Sequence, residues 1–145
     1  MAALGAAVDI IMDARWLVET EIKSSGTLTF YRGALVSIAL GTGTAKLSPA
    51  DGDEFYGICL EPKSAVSGTL IRVAIRGLFL IANTAFTDAN LNKLFAQAGG
   101  GTDNPADLIL QTTGTAGAAG RLVAVKTSGT SGWLDISDRS TVANA

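Results

Sequence analysis

The chain of 145 residues contains no histidine and a single cysteine, Cys59. Without histidine, the common general acid–base pairs and the Ser-His-Asp triad cannot be built. One cysteine excludes an internal disulfide bond. Its place in the apolar run 56–60 indicates a buried, inert thiol, because a reactive thiolate needs a basic partner. We therefore expect a protein that is not an enzyme.

Charged residues are scarce as well, at 17% of the chain against about 25% in a typical soluble domain. The net charge is −2, and no run of Lys or Arg interleaves with aromatic residues, which excludes the usual surfaces for nucleic acids. No segment reaches the ~18 consecutive apolar residues of a membrane span. We expect no nucleic-acid or membrane partner, synthesis in a reducing cytoplasm, and a surface partly covered by other protein.

Two loops contain residue types that hold ions or phosphate in other settings. Asp51, Asp53 and Glu54 are the densest carboxylates, but they lack the number and spacing of calcium ligands, which favours a solvated hairpin tip. The glycines of residues 41–44 lack the lysine and the following helix that a phosphate-binding loop requires. The sequence therefore predicts no metal site and no cofactor.

Alternation of apolar and polar residues indicates a β-rich domain. Residues 16–23 alternate with a period of two, and residues 71–76 do so most cleanly, with Arg72 and Arg76 on the wet face. Gly77 then interrupts the pattern, which predicts a bulge or a sharp bend. Eight or nine short strands separated by turn residues favour a β-barrel or sandwich. The remaining predicted strands are 27–31, 34–40, 55–61, 78–81, 108–111, 121–126 and 133–136.

Two segments depart from the β pattern. Residues 87–95 form the one predicted helix of the body, with Thr87 as its N-cap and Asp88 in its first turn. In residues 1–15, the spacing of four apolar residues would place them in one stripe on a helix. This segment is interpreted either as an arm that orders on a partner or as a frayed tail. The predicted division is an arm at 1–15, a β-rich domain at 16–137 and a loose tail at 138–145.

Five segments follow one another in a distinctive order. Residues 32–36 (Arg-Gly-Ala-Leu-Val) lead into a strand, and residues 54–61 (Glu-Phe-Tyr-Gly-Ile-Cys-Leu-Glu) follow a loop rich in Pro and Asp. Residues 71–79 (Ile-Arg-Val-Ala-Ile-Arg-Gly-Leu-Phe) precede the capped segment 87–95, and residues 133–136 (Trp-Leu-Asp-Ile) close the series. This order resembles the small capsid decoration, or cement, proteins of tailed bacteriophages.

The resemblance implies a mainly β body, and the expected fold is a small β-barrel or sandwich of β-tulip-like form with one short helix. The N-terminal arm, which the residues themselves predict, departs from the simplest members of that family. The resemblance also implies homotrimers on the outer surface of the phage head, at three-fold or quasi-three-fold positions, where they bridge major capsid subunits and stabilise the expanded shell. We therefore expect the virion as the location, with the phage major capsid protein and further copies of the chain as partners. The hypothetical contact residues are the apolar stripe of the arm and the two arginines of the cleanest strand: Leu4, Val8, Ile11, Met12, Arg72 and Arg76.

Other functions stay open. One is another β-rich virion component for head completion or for the tail, although fibre-like repeats are absent from the sequence. A second is a carbohydrate-binding or small-molecule-binding domain, which needs a concave site with convergent aromatic and polar groups. The aromatic residues available for it are Trp16, Trp133, Tyr31 and Tyr56. The third, an enzyme with carboxylate or Ser/Lys chemistry, lacks activating partners.

Overall fold

The computed structural model describes residues 4, 7–8, 10–39, 41–47, 54–97, 103–111 and 118–137, apart from the side chains of residues 14 and 15. Strands account for 57% of these described residues and helices for 5%, and the main sheet is a curled, antiparallel half-barrel. The prediction of a mainly β fold is confirmed. The predicted tail at 138–145 and the carboxylates of residues 51 and 53 lie outside the described residues.

One long strand organises the main sheet. Within the described residues the strands are β1 (Ile11–Lys23), β2 (Leu28–Phe30), β3 (Leu35–Ile38), β4 (Ala45–Lys46), β5 (Glu54–Cys59), β6 (Lys63–Ala65), β7 (Leu70–Ala82), β8 (Leu94–Ala96), β9 (Ile109–Leu110), β10 (Ala118–Thr127) and β11 (Ser131–Asp135). The main sheet has the order β4-β3-β5-β7-β11-β10-β8-β9, β1 pairs with β7, and β2 and β6 form a separate pair. These pairings are antiparallel. β7 is central because it pairs with β1, β5 and β11.

The alternation of β7 explains its central position. Val73 and Phe79 are fully buried, whereas Arg72 and Arg76 are exposed. A strand of this kind presents one face to the core and the other to its surroundings. The predicted strands on either side of Gly77 are therefore one continuous element, and the predicted irregularity at Gly77 is present.

β1 contains a wide bulge opposite Gly77. Residues 14–17 lie opposite this single residue, between the regular pairs that Asp13 and Val18 form with β7. Gly77 has a φ of 145°, a conformation that residues with a side chain rarely adopt. Extra residues on one strand bend it and increase its twist. The bulge places Trp16 at the surface with 62% of its area exposed.

The core consists of two clusters of buried side chains. In the larger cluster, the rings of Phe86 and Phe95 meet edge to face with their centroids 4.8 Å apart. The smaller cluster contains the buried thiol of Cys59, as the sequence predicts. The largest fully buried side chains of the two clusters are Phe30, Phe79, Phe86, Phe95, Leu35, Ile58, Ile71, Ile81, Leu108, Leu122, Leu134 and Ile136.

The predicted helix at 87–95 is wrong. Within residues 87–95 only Asp88–Asn90 is helical, as a single 3₁₀ turn, and Leu94–Ala96 is strand β8. Thr87 occupies the N-cap position but makes no side-chain cap hydrogen bond. The backbone N–H of Asp88 donates instead to the hydroxyl of Ser128, at 3.0 Å. Pairing of β8 with β10 and β9 satisfies backbone groups that a helix would have paired internally.

Strand β1 begins at Ile11, within the segment that the sequence predicts as an arm at residues 1–15. Ile10 is only 3% exposed and belongs to the larger core cluster, and Val8 and Met12 pack against that cluster. Ile11, the neighbour of Met12 in the strand, is 57% exposed. The apolar stripe predicted for a helix therefore does not form, because adjacent strand residues point to opposite faces.

Candidate interaction surface

A groove lies on the outer face of the sheet, lined by described residues of four strands and by Ser137. It has a volume of about 660 Å³ and runs from the bulge of β1 across β7 towards β10 and the end of β11. Its apolar residues include Trp16, Val18 and Val123, with exposed fractions of 62%, 44% and 42%. The described residues that line it are Trp16, Leu17, Val18, Arg76, Leu78, Val123, Asp135 and Ser137. Contiguous exposed apolar surface of this kind is typical of interaction sites.

The backbone of Gly77 is hydrogen-bonded to the two residues that follow β11, beside the groove. Its carbonyl oxygen accepts a hydrogen bond from the backbone N–H of Ile136 at 3.0 Å, and its N–H donates to the hydroxyl of Ser137 at 3.3 Å. A Cβ at Gly77 would lie 3.5 Å from the Cα of Leu17 in the bulge. The glycine therefore joins β7 to the end of β11 while β1 passes close above it.

Arg72 is neutralised within its own chain. Its Nε and Nη2 donate to Oε2 of Glu19 at 2.9 and 2.6 Å, and Glu61 lies 3.9 Å from Nη1. The hydrogen bond to Glu19 raises the pKa of the Arg72 guanidinium. The pairing register places Glu21 directly opposite Arg72 and so brings Glu19 within reach. Arg72 thus has its carboxylate partner on β1.

Arg76 stands in a different environment on the same face of β7. It lines the groove, and its guanidinium makes no hydrogen bond or ion pair with another described residue. Asp135, which also lines the groove, accepts the backbone N–H of Ser137 at 2.8 Å and is in no ion pair with the described part of the chain. Among the described residues, the groove therefore carries one cationic and one anionic group beside apolar side chains.

The N-terminal contact residues of the sequence analysis lie apart from this groove. The backbone N–H of Leu4 donates to Oδ1 of Asp103 at 2.8 Å, and that of Val8 donates to the carbonyl of Arg32 at 2.9 Å. Nη2 of Arg32 donates to the carbonyl of Ile10 at 3.1 Å. The described residues Leu4, Val8 and Ile10 are therefore hydrogen-bonded to the body of their own chain.

Gly33 allows this attachment. A Cβ on Gly33 would lie 3.0 Å from both the Cβ and the carbonyl oxygen of Val8, and the residue has a φ of 90°. Asp103 is 1% exposed, and its Oδ2 has no hydrogen-bond partner among the described residues. Burial raises the pKa of this carboxyl, and the hydrogen bond from Leu4 opposes the rise.

Burial raises the pKa of the Cys59 thiol to about 11, so the thiolate is disfavoured at neutral pH. The described residues contain no group of three or more His, Cys, Asp or Glu side chains arranged to hold a metal ion. Among them there is also no helix with the length and apolar character to span a membrane.

Comparisons with protein-family models, with curated proteins and with solved structures find no match for this chain.

Of the described groove residues, Arg76 is the one that the sequence predicts as a contact residue, and Trp16 is predicted only as an aromatic ring available to a ligand. Val123 could not be predicted, because the groove joins strands that are far apart in the chain. The signal for the groove was Gly77, since an irregularity in one strand requires an adjustment in its partner.

Proposed function

We propose that the chain is a capsid decoration protein of a tailed bacteriophage, which binds the outer surface of the expanded head as a homotrimer. The proposal makes it a structural subunit that stabilises contacts between major capsid subunits, with no catalytic role. The observation that carries it is the exposed apolar groove around Trp16 on a domain with few charges. A small domain that keeps such a surface open gains stability when another protein covers it.

The arrangement of the strands supports the same function. Three of the five segments that resemble decoration proteins coincide largely with β5, β7 and β11, and residues 32–36 lead into β3. These strands are consecutive neighbours in the main sheet, although they are distant in the chain. The fifth segment departs from the resemblance, because residues 87–95 contain a 3₁₀ turn and not the expected small helix.

Binding to shells tests the proposal directly. Purified chain is mixed with expanded and with unexpanded shells of the phage major capsid protein, and bound chain is measured after sedimentation. We expect saturable binding to expanded shells, a higher melting temperature of those shells, and little binding to unexpanded ones. Failure to sediment with either kind of shell would contradict the function, and equal binding to both would contradict a role that follows expansion.

A carbohydrate-binding function is the second candidate, because the groove provides the concave site that such a function needs. The indole of Trp16 is exposed beside the polar groups of Arg76, Asp135 and Ser137. Aromatic rings with a few polar groups are common in ligand sites. A glycan array followed by titration of tryptophan fluorescence would separate the two functions. Saturable binding that Trp16→Ala removes and Val66→Ala keeps would favour the carbohydrate, since Val66 is equally exposed at 62%.

A further inference from the structure

We infer that the groove is the surface through which copies of this chain bind one another, with Arg76 of one copy facing Asp135 of the next. This goes one step beyond the proposed function, because it assigns the contact between copies to a defined surface. It relies on the proposed function only for the statement that copies associate.

The charges of the groove favour a second copy as the occupant. Arg76 and Asp135 are of opposite sign, and neither forms an ion pair with another described residue. A second copy brings the same two charges, so a rotation axis between copies can supply each charge with its opposite. An acidic partner would suit Arg76 but would oppose Asp135, and a basic partner would do the reverse.

The neighbourhood of Asp135 leaves its charge available. Arg121 lies directly across from Asp135 in the pairing of β10 with β11. Its Nη1, however, donates to the carbonyl of Asn92 at 2.6 Å. Asp135 uses Oδ1 to accept the N–H of Ser137, and the other oxygen can receive a guanidinium from outside.

The apolar part of the groove supplies the rest of the contact. Trp16 is the most exposed apolar side chain of the described lining. Tryptophan and arginine are enriched among the residues that contribute most to binding at the centre of protein interfaces. In the assembled state Trp16 of one copy covers Val18 and Val123 of its neighbour. The apolar rim excludes water from the pair of charges and so strengthens it.

A charge exchange tests the inference on the full chain. Association of the wild type and of R76E, D135K and the double variant is measured by light scattering and native mass spectrometry at micromolar concentration. We expect the wild type to associate and each single variant to associate at least about tenfold more weakly. The double variant should recover most of the loss, because its charges are exchanged in every copy.

Matched controls separate the contact from general effects. Lys63→Glu makes the same change of charge at an exposed position outside the groove and should leave association unchanged. Because Asp135→Lys places a second cation opposite Arg121, circular dichroism checks its folding, and Asp135→Asn serves as a milder variant with a smaller loss. Trp16→Ala should weaken association, whereas Val66→Ala should not.

The outcomes distinguish this inference from the proposed function. A monomeric wild type, single variants that associate normally, or a folded double variant without recovery would each overturn the inference. Saturable binding of a monomeric wild type to expanded shells would overturn the inference and keep the decoration function. Intact self-association with recovery in the double variant, but no binding to shells, would keep the inference and overturn the decoration function.

Discussion

The N-terminal segment offers a sharp test in two adjacent residues. Ile10 is 3% exposed within the larger core cluster, whereas Ile11 is 57% exposed. Removal of a buried isoleucine side chain to alanine costs about 2–5 kcal/mol through lost burial and the cavity that remains. The same change at an exposed strand position costs less than ~1 kcal/mol. We therefore expect Ile10→Ala to lower the free energy of unfolding by several times more than Ile11→Ala.

Urea unfolding followed by circular dichroism measures both variants. The denaturant midpoint of Ile10→Ala should fall with little change in slope, and its melting temperature should drop by roughly 2–4 °C for each kcal/mol lost. An arm that orders only on a partner would give a different result, since neither substitution would change the stability of the free protein. Equal and small effects would therefore refute the placement of residue 10 in the core.

Three further properties of the body can be tested on the free protein. Gly57→Ala places a Cβ against the carbonyl oxygen of Ala74 and should destabilise the fold by at least about 1–3 kcal/mol, the usual cost of overpacking. The Cβ of the control variant Gly26→Ala meets no heavy atom within 4 Å. Equal melting temperatures of the two variants would contradict the close packing at Gly57. Burial raises the pKa of Asp103, so the folded chain keeps this proton to higher pH than the unfolded chain does. The stability that the protonated Asp103 carboxyl contributes is fully present below the ordinary carboxyl pKa and is lost as the pH rises through the raised pKa of the folded chain. Across that pH interval, Asp103→Asn should therefore become more stable relative to wild type. A difference in stability that does not change with pH would contradict the raised pKa. The Cys59 thiol, with its pKa raised to about 11, should react with a thiol reagent at pH 8 only as fast as the protein opens, and labelling at the rate of an unfolded thiol would show an accessible site.

The strands could be predicted because their signal is local. In residues 71–76 the alternation of polarity by itself identifies the face that enters the core. The helix predicted at 87–95 failed for the opposite reason. Its capping residues and apolar spacing were genuine local signals, but the pairing of β8 with β10 involves residues more than twenty positions away. Tertiary pairing of this kind overrides local propensity.

The candidate surface was only partly predictable for a related reason. The alternation in β7 placed both Arg72 and Arg76 on the exposed face, as the structure shows. Which arginine has a partner within the chain depends on the register of β1 against β7, and that register shifts at the bulge opposite Gly77. A shift in register changes which side chains meet across the strands. The sequence pattern contains no measure of that shift.

The decoration function is tested most directly on particles from infected cells. Mature, DNA-filled heads and early procapsids are purified separately, and the chain and the major capsid protein are quantified in each by mass spectrometry. We expect the chain to be abundant in mature heads, in a fixed proportion to the major capsid protein, and to be missing from procapsids. Its absence from mature heads, or equal amounts in both kinds of particle, would show that it is not a decoration protein added after expansion.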